Sequence, residues 1–371
     1  MEEIKIENVD KKMVAEKVNS NELIYFNPLK NKKFVIEGLP FINDHKQYFR
    51  LPLDQKDNVT EAVWWLSSHP SGGQIRFKTN AKKISVKIKN KGDYLMCHMP
   101  CTGQQGVDLY YKRKVDKQYT FFTCAKFAAP SIEYESVVFD ADEKEDKEII
   151  INLPLYEGLE EILIGVEQNA YIKKAKPHKR KGKIVIYGTS NTQGGCASRP
   201  GMSFTNILSR RLDVEFVNLG FSGSGLGEVQ LAHIINKIDD KIMVILDYEG
   251  NGGATGDMEY NLEDFIDTIR SKNKDIPIVI KSKLPFTPYV FKKAEIDLRN
   301  KFYNFQKDMV EKKKANGDNN IYFIDGNKLY GNKDIFEFSV DGFHPTDLGF
   351  YILANNLYPI IKRILTKHEK H

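Results

Sequence analysis

KIVIYGTSNTQGG, residues 183–195, contains an apolar run, Ile184-Val185-Ile186-Tyr187, that stops abruptly at Gly188-Thr189-Ser190. Strand-forming residues in a short run without alternation predict a strand buried on both faces, as in a parallel sheet. A serine just past the carboxyl end of such a strand lies where open α/β sheets place their ligands. Taken alone, Ser190 reads more readily as a turn cap. The other end of the chain changes that balance, because Asp341-Gly342-Phe343-His344-Pro345 sets a carboxylate and an imidazole three residues apart.

Beyond this stretch, strand and helix patterns alternate. Strands are expected at 214–219, 242–246, 276–280 and 321–324. Helices are expected from near Pro200, around 229–235, around 262–269, over 292–314 and over 345–365. Five strands alternating with helices predict a doubly wound, mainly parallel five-stranded α/β sheet over residues 184–371.

The first half has a different pattern. Residues 74–78 and 84–89 alternate apolar with polar, as strands with one wet face do, and the short connection between them predicts a hairpin. Further strands are expected at 109–111, 119–124, 137–139, 148–153 and 161–166, which makes residues 1–172 an all-β sandwich or jelly roll. Trp64-Trp65 reads as a core pair in a strand. Between the halves, residues 173–183 carry seven cations, more than the whole chain's net charge of +5. Such a run can bind nucleic acid or anionic lipid. Here Pro177 and Gly182 interrupt it and no aromatic residue suited to base stacking is interleaved, so it reads as a solvated basic linker.

Composition is that of an ordinary soluble globular protein, with 41% hydrophobic and 28% charged residues. No run reaches the ~18 apolar residues of a membrane span. The first residues are charged where a secretory signal needs an apolar core, so the expected location is cytoplasmic, with no membrane or nucleic-acid partner. Self-association is left open. Cys97-His98 with Cys101 hints at a metal, but a closed zinc site needs four ligands and the sequence supplies no others at suitable spacing. His45, His69 and His178 show no partner pattern and read as structural.

Three strand ends gather small and polar residues: Ser190, then Asn218-Leu219-Gly220, then Asp247-Tyr248-Glu249-Gly250-Asn251-Gly252-Gly253. Acyl transfer by serine needs a base, a group to orient that base, and donors for the oxyanion. His344 is the candidate base and Asp341 its orienter. The N–H groups of Ser190 and Gly220 and the Asn251 amide are the candidate donors, and Arg199 and Glu249 are candidate substrate contacts. No cofactor or metal is called for. A nucleotide-binding reading of Gly223-Ser224-Gly225-Leu226-Gly227 fails because its glycines have Gly-x-Gly-x-Gly spacing and follow the second strand of this half.

The quartet Ser190, Gly220, Asn251 and His344, with Asp341 in an Asp-x-x-His-Pro setting, resembles the SGNH (GDSL-type) hydrolase superfamily. Gly188-Thr189-Ser190 departs from the usual Gly-Asp-Ser, and Asn251 lacks the aspartate that often follows it. Gly106-Val107-Asp108-Leu109-Tyr110 is similar to the Gly-x-Asp-Leu-Tyr motif of a bacterial group with an extra β domain before the hydrolase. The resemblance implies two-step hydrolysis of a short acyl ester, acetyl being expected, on a sugar or glycoside, with activity falling below pH ~6.5 as the imidazole base protonates. Two other readings use the same sequence: acyl transfer to an acceptor other than water, and a non-catalytic carbohydrate-binding protein.

Overall fold

The computed structural model describes residues 22–287 and 291–368, with Val9, Asp10, Val14 and Val18 before them. Strands β1 (Leu23–Phe26), β4 (Lys83–Asn90), β7 (Glu133–Asp140) and β9 (Leu159–Glu167) form one antiparallel sheet in the order β1-β9-β4-β7. A second sheet takes the order β10-β3-β8-β5-β6 from β10 (Ile172–Lys174), β3 (Gln74–Thr79), β8 (Lys147–Asn152), β5 (Asp108–Arg113) and β6 (Thr120–Cys124), and β2 (Val35–Glu37) also pairs with β3. The inward residues of both sheets, among them Ile75, Phe77, Ile84, Val86, Ile149, Ile162 and Ile164, share one core, so this half is a β-sandwich.

Two sequence expectations need correction here. β3 and β4 are not a hairpin: β3 pairs with β8 and β4 with β7 and β9, so the short connection steps from one sheet to the other. Alternation reveals which face of a strand is buried but not which sheet it joins. Trp64-Trp65 is not in a strand either. It lies in the Glu61–Ser67 helix, which starts where the Thr60 side chain accepts the Val63 N–H at 3.2 Å, and Trp65 is 51% exposed.

The second half is a five-stranded parallel sheet in the order β12-β11-β13-β14-β15, built from β11 (Lys183–Gly188), β12 (Glu215–Gly220), β13 (Lys241–Asp247), β14 (Ile278–Lys281) and β15 (Ile321–Ile324). In β11, Val185 and Tyr187 enter one core and Ile184 and Ile186 the other, the two-residue period of a strand covered on both faces. The Val229–Lys237, Asp257–Lys272 and Lys293–Ala315 helices pack on the first face, and the Phe204–Leu212 and Asp347–His368 helices on the second. The chain passes from β11 to β12 on one side and later to β13 on the other, so the order reverses at the carboxyl end of β11. That is where an open α/β sheet leaves a crevice.

The halves are not separate beads. Phe41, Leu51, Val63 and Leu66 belong to the core on one face of the parallel sheet, and Met99, Leu155 and Tyr156 to the core on the other. Arg50, fully buried, donates to the carbonyl oxygens of Asn218 (3.1 Å), Gly220 (2.5 Å) and Leu66 (2.8 Å). Of residues 173–183, Lys173 and Lys174 lie in β10 and Lys183 in β11. His178 joins Glu37 to Asp213. Among the described residues, no helix is long and apolar enough to cross a membrane.

Candidate active site

Ser190 opens a single turn of helix, Ser190–Gln193, directly after β11. The turn presses hard against the sheet, which explains the glycine before it. A Cβ at Gly188 would lie 2.1 Å from Thr192 Oγ1 and 2.7 Å from the Asp247 carbonyl oxygen. Thr192 in turn donates to Asp247 Oδ2 at 3.0 Å, and Lys281 pairs with Asp247 Oδ1 at 2.7 Å. The front domain holds the same turn from outside. Ser71 Oγ donates to the Gln193 carbonyl oxygen, Gln193 Nε2 to the Leu155 carbonyl oxygen, and the Tyr156 hydroxyl to the Ser190 carbonyl oxygen at 3.2 Å.

His344 Nε2 lies 2.9 Å from Ser190 Oγ, and His344 Nδ1 lies 2.7 Å from Asp341 Oδ2. The carboxylate can only accept, so Nδ1 carries the proton and the Nε2 lone pair faces the hydroxyl. Asp341 Oδ1 also accepts the N–H groups of Phe343 (2.9 Å) and His344 (2.8 Å). Burial works to raise this carboxyl, but the His344 hydrogen bond and the two backbone donors together hold it below the usual range. The loop is closed by a bridge between Ser339 and Pro345 and by the Val340 N–H donating to the His344 carbonyl oxygen. A hydroxyl and an imidazole 154 residues apart are thus joined through one strand end and one braced loop.

The other expected residues fare differently. Asn251 sits in the irregular turn Glu249–Gly253 after β13, and its Oδ1 is buried with no hydrogen-bond partner. The turn flanks the nucleophile, since a Cβ at Gly250 would lie 3.4 Å from Thr189 Cγ2. Gly220 does not fit the role of oxyanion donor. Its N–H donates to Asn218 Oδ1 at 2.9 Å, and a Cβ there would strike the Gln193 nitrogen at 2.2 Å. Close approach of the nucleophile turn, not of substrate, explains this glycine.

Glu249 and Arg199 are not placed as substrate contacts. Glu249 is 1% exposed, and its Oε2 accepts the Lys283 N–H and Gln306 Nε2, both at 2.7 Å. Arg199 faces the front domain, donating to Asp108 Oδ2 (2.8 Å) and the Tyr110 hydroxyl (2.6 Å), with its guanidinium 3.6 Å from the centre of the Phe121 ring. Asp108 is fully buried and also accepts Asn152 Nδ2 and the Gly201 N–H. The Gly-x-Asp-Leu-Tyr motif is therefore the latch between the domains.

Two residues outside the expected catalytic set also lie at the site. His98, from the front domain, has its ring centre 5.7 Å from that of His344. Cys196 lies six positions after Ser190 and is buried; burial, with Asp341 and Cys97 nearby, pushes its thiol up to about 12. A thiol so protonated is no rival nucleophile to Ser190. Only the Cys97-His98 pair carried any signal in the sequence, and the ligand count dismissed it.

The comparisons with known proteins agree with this architecture. The profile of the GDSL-like Lipase/Acylhydrolase family matches residues 181–362, and that of the N-terminus of Esterase_SGNH_hydro-type matches residues 23–172. A solved structure from Bacteroides ovatus, described as a GDSL-like lipase, is 30% identical and superposes with a TM-score of 0.84 over 93% of this chain and 98% of its own. The chain belongs to the GDSL-like lipase/acylhydrolase family. It is thus an ester hydrolase of the SGNH type with an additional N-terminal β domain. More distant likenesses show the fold alone. The salicylyl-acyltransferase SsfX3 from a tetracycline biosynthetic pathway gives a TM-score of 0.73 at 17% identity over 92% of this chain and 96% of its own. A family two carbohydrate esterase from Clostridium thermocellum, in complex with cellohexaose, gives 0.58 at 14% over 80% and 93%. No curated protein matches the chain.

Proposed function

We propose that the protein is a serine esterase that removes a short acyl group, acetyl in the first instance, from a carbohydrate or glycoside. The observation that carries the mechanism is the 2.9 Å contact from Ser190 Oγ to His344 Nε2, with Asp341 behind the imidazole at 2.7 Å. His344 takes the Ser190 proton as Oγ attacks the acyl carbonyl, and Asp341 stabilises the imidazolium so formed. The imidazolium then protonates the leaving alcohol. The neutral ring next activates water, which releases the acid and restores Ser190.

The developing oxyanion is held by the Ser190 N–H and the Asn251 amide, an arrangement supported by the Glu249–Gly253 turn lying against Thr189, the residue before the nucleophile. Gly223 replaces Gly220 as the third donor. It is exposed, has φ +67°, and a Cβ there would meet nothing within 4 Å. It also follows Ser222, whose side chain reaches Tyr156, the residue that donates to the Ser190 carbonyl oxygen.

Small, glycine-rich surroundings at Ser190 favour a short acyl group, and the likeness to carbohydrate esterases supports a sugar alcohol as leaving group. Likeness to an acyltransferase across both domains favours one second reading, transfer of the acyl group to an acceptor other than water. The test is release of acetate from p-nitrophenyl acetate and from acetylated sugars by wild type and Ser190→Ala. Wild-type turnover should exceed that of the variant by about 10⁴-fold or more. Equal rates would sink the proposal, and ester formation with an added alcohol at the expense of acetate would favour transfer.

A further inference from the structure

The Cys97-His98 pair lacked ligand partners in the sequence, and the fold supplies them. Donor atoms of His98, Cys196 and His344 all lie within 4.8 Å of one another, although they come from three separate segments. Cys196 is fixed with φ +73° in the turn after the nucleophile. A Cβ at the preceding Gly195 would lie 3.5 Å from His344 Cδ2, the ring carbon bonded to Nε2, so this turn meets the imidazole on its Nε2 edge. Cys97 is near enough to act electrostatically on the Cys196 thiol. Behind the cluster, Asp341 holds His344 Nδ1 at 2.7 Å, the carboxylate–histidine arrangement that orients metal-ligating imidazoles.

We propose that His98, Cys196 and His344 form a binding site for a thiophilic divalent transition-metal ion such as zinc, and that its capture switches the hydrolase off. Two imidazoles and one thiolate, with a fourth position left for water, suit tetrahedral zinc, whereas magnesium and calcium take oxygen ligands. The ion accepts lone pairs from the two rings and from Cys196. The cation's own charge ionises the thiol, whose proton leaves to solvent, and nothing is oxidised or reduced. His344 gives the metal the Nε2 lone pair that would otherwise take the Ser190 proton. Inhibition therefore rests on His344 being the base, but metal binding does not.

Cobalt(II) separates the two. Added to the Ser190→Ala variant of the full chain, it should produce a thiolate-to-cobalt charge-transfer band that is lost in the Ser190→Ala/Cys196→Ser and Ser190→Ala/His98→Ala double variants. In turnover of p-nitrophenyl acetate, zinc should inhibit the wild type reversibly, with chelator restoring the rate. The single variants Cys196→Ser and His98→Ala, each compared with its own metal-free rate, should require at least tenfold more zinc for half-inhibition. Absence of the band, or equal zinc sensitivity in all three proteins, overturns the site. The band in Ser190→Ala together with no esterase turnover by the wild type would keep the metal site and remove the catalytic reading instead.

Discussion

The Asp108 carboxylate, wholly buried in the front domain, accepts a hydrogen bond at 2.8 Å from Arg199, a residue of the hydrolase domain nine positions beyond the nucleophile. The same carboxylate oxygen takes the Gly201 N–H, and Tyr110 stacks under Arg199 and Arg210. Charge and shape therefore meet at one point of the domain boundary.

Asp108→Asn keeps the shape and removes the charge. The amide would turn its NH₂ towards either Arg199 or Asn152, both donors, leaving a largely covered cation without its counter-charge. Loss of about 3 kcal/mol or more of stability is expected, read as a lower denaturant midpoint. Turnover per folded molecule should stay within a few-fold, because the latch holds the Pro200–Met202 turn and not Ser190.

Asn251→Ala should behave in the opposite way. It removes a donor to the oxyanion and should lower kcat by about 100- to 1,000-fold. It also removes a buried oxygen without a partner, so the unfolding free energy should be unchanged or slightly higher. A stable variant with wild-type kcat would exclude Asn251 from the oxyanion site.

Arg50→Met should impair both. Burial pushes the Arg50 guanidinium down to about 9, and it donates hydrogen bonds to three carbonyl oxygens, two of them at the end of β12. Leaving those oxygens buried without donors costs about 1–3 kcal/mol each. The loop that begins at Phe221, whose ring lies 4.6 Å from the guanidinium, would lose its brace. Thermal unfolding and kcat should fall together, and Arg50→Lys should not rescue them, since one ammonium cannot copy the planar fork.

His178 gives the domain junction a pH dependence. Burial acts to lower its pKa, but the hydrogen bonds to Asp213 and Glu37 and the Glu37 charge outweigh burial and raise it. Burial acts to raise Glu37, but His178 and Arg76 hold it low; Asp213 is lowered chiefly by its His178 hydrogen bond. The raised imidazole stabilises fully below its unfolded value of ~6.5, and that contribution is lost as pH climbs through the higher folded value. The depressed carboxylates stabilise above their unfolded values of ~4, and lose this as pH falls through their folded ones. The stability difference between wild type and His178→Gln should therefore be largest between about pH 5 and 6 and shrink towards pH 9. Denaturant unfolding across that range reads it, and a constant difference would refute the link.

Much of this architecture was legible beforehand, for identifiable reasons. Parallel strands covered on both faces are written as apolar runs, so β11, β12, β13, β14 and β15 stood out. The positions of Ser190, Asp341, His344 and Asn251 followed from strand ends and one short motif. What failed depended on tertiary packing. Three-residue strands such as β2 and β10 are too short for a period to register, and alternation did not assign β3 and β4 to different sheets. Nearness in sequence to a catalytic block suggested Arg199 and Glu249, but only the fold shows one turned to the other domain and the other sealed in. Gly220 reads as an oxyanion donor from its place at a strand end, but in the fold Gln193 is the group that approaches it.

The segment carrying Phe41, Leu51, Val63 and Leu66 finds its apolar partners on strands that begin at residue 183 and end at 324. On the ribosome these four side chains emerge long before the surface that covers them has been translated. At about 5–20 residues per second, they remain without cover for on the order of ten seconds or more. The nascent front half therefore displays a greasy, chaperone-accessible face throughout synthesis of the second, and slow codons between the two would lengthen its exposure to aggregation.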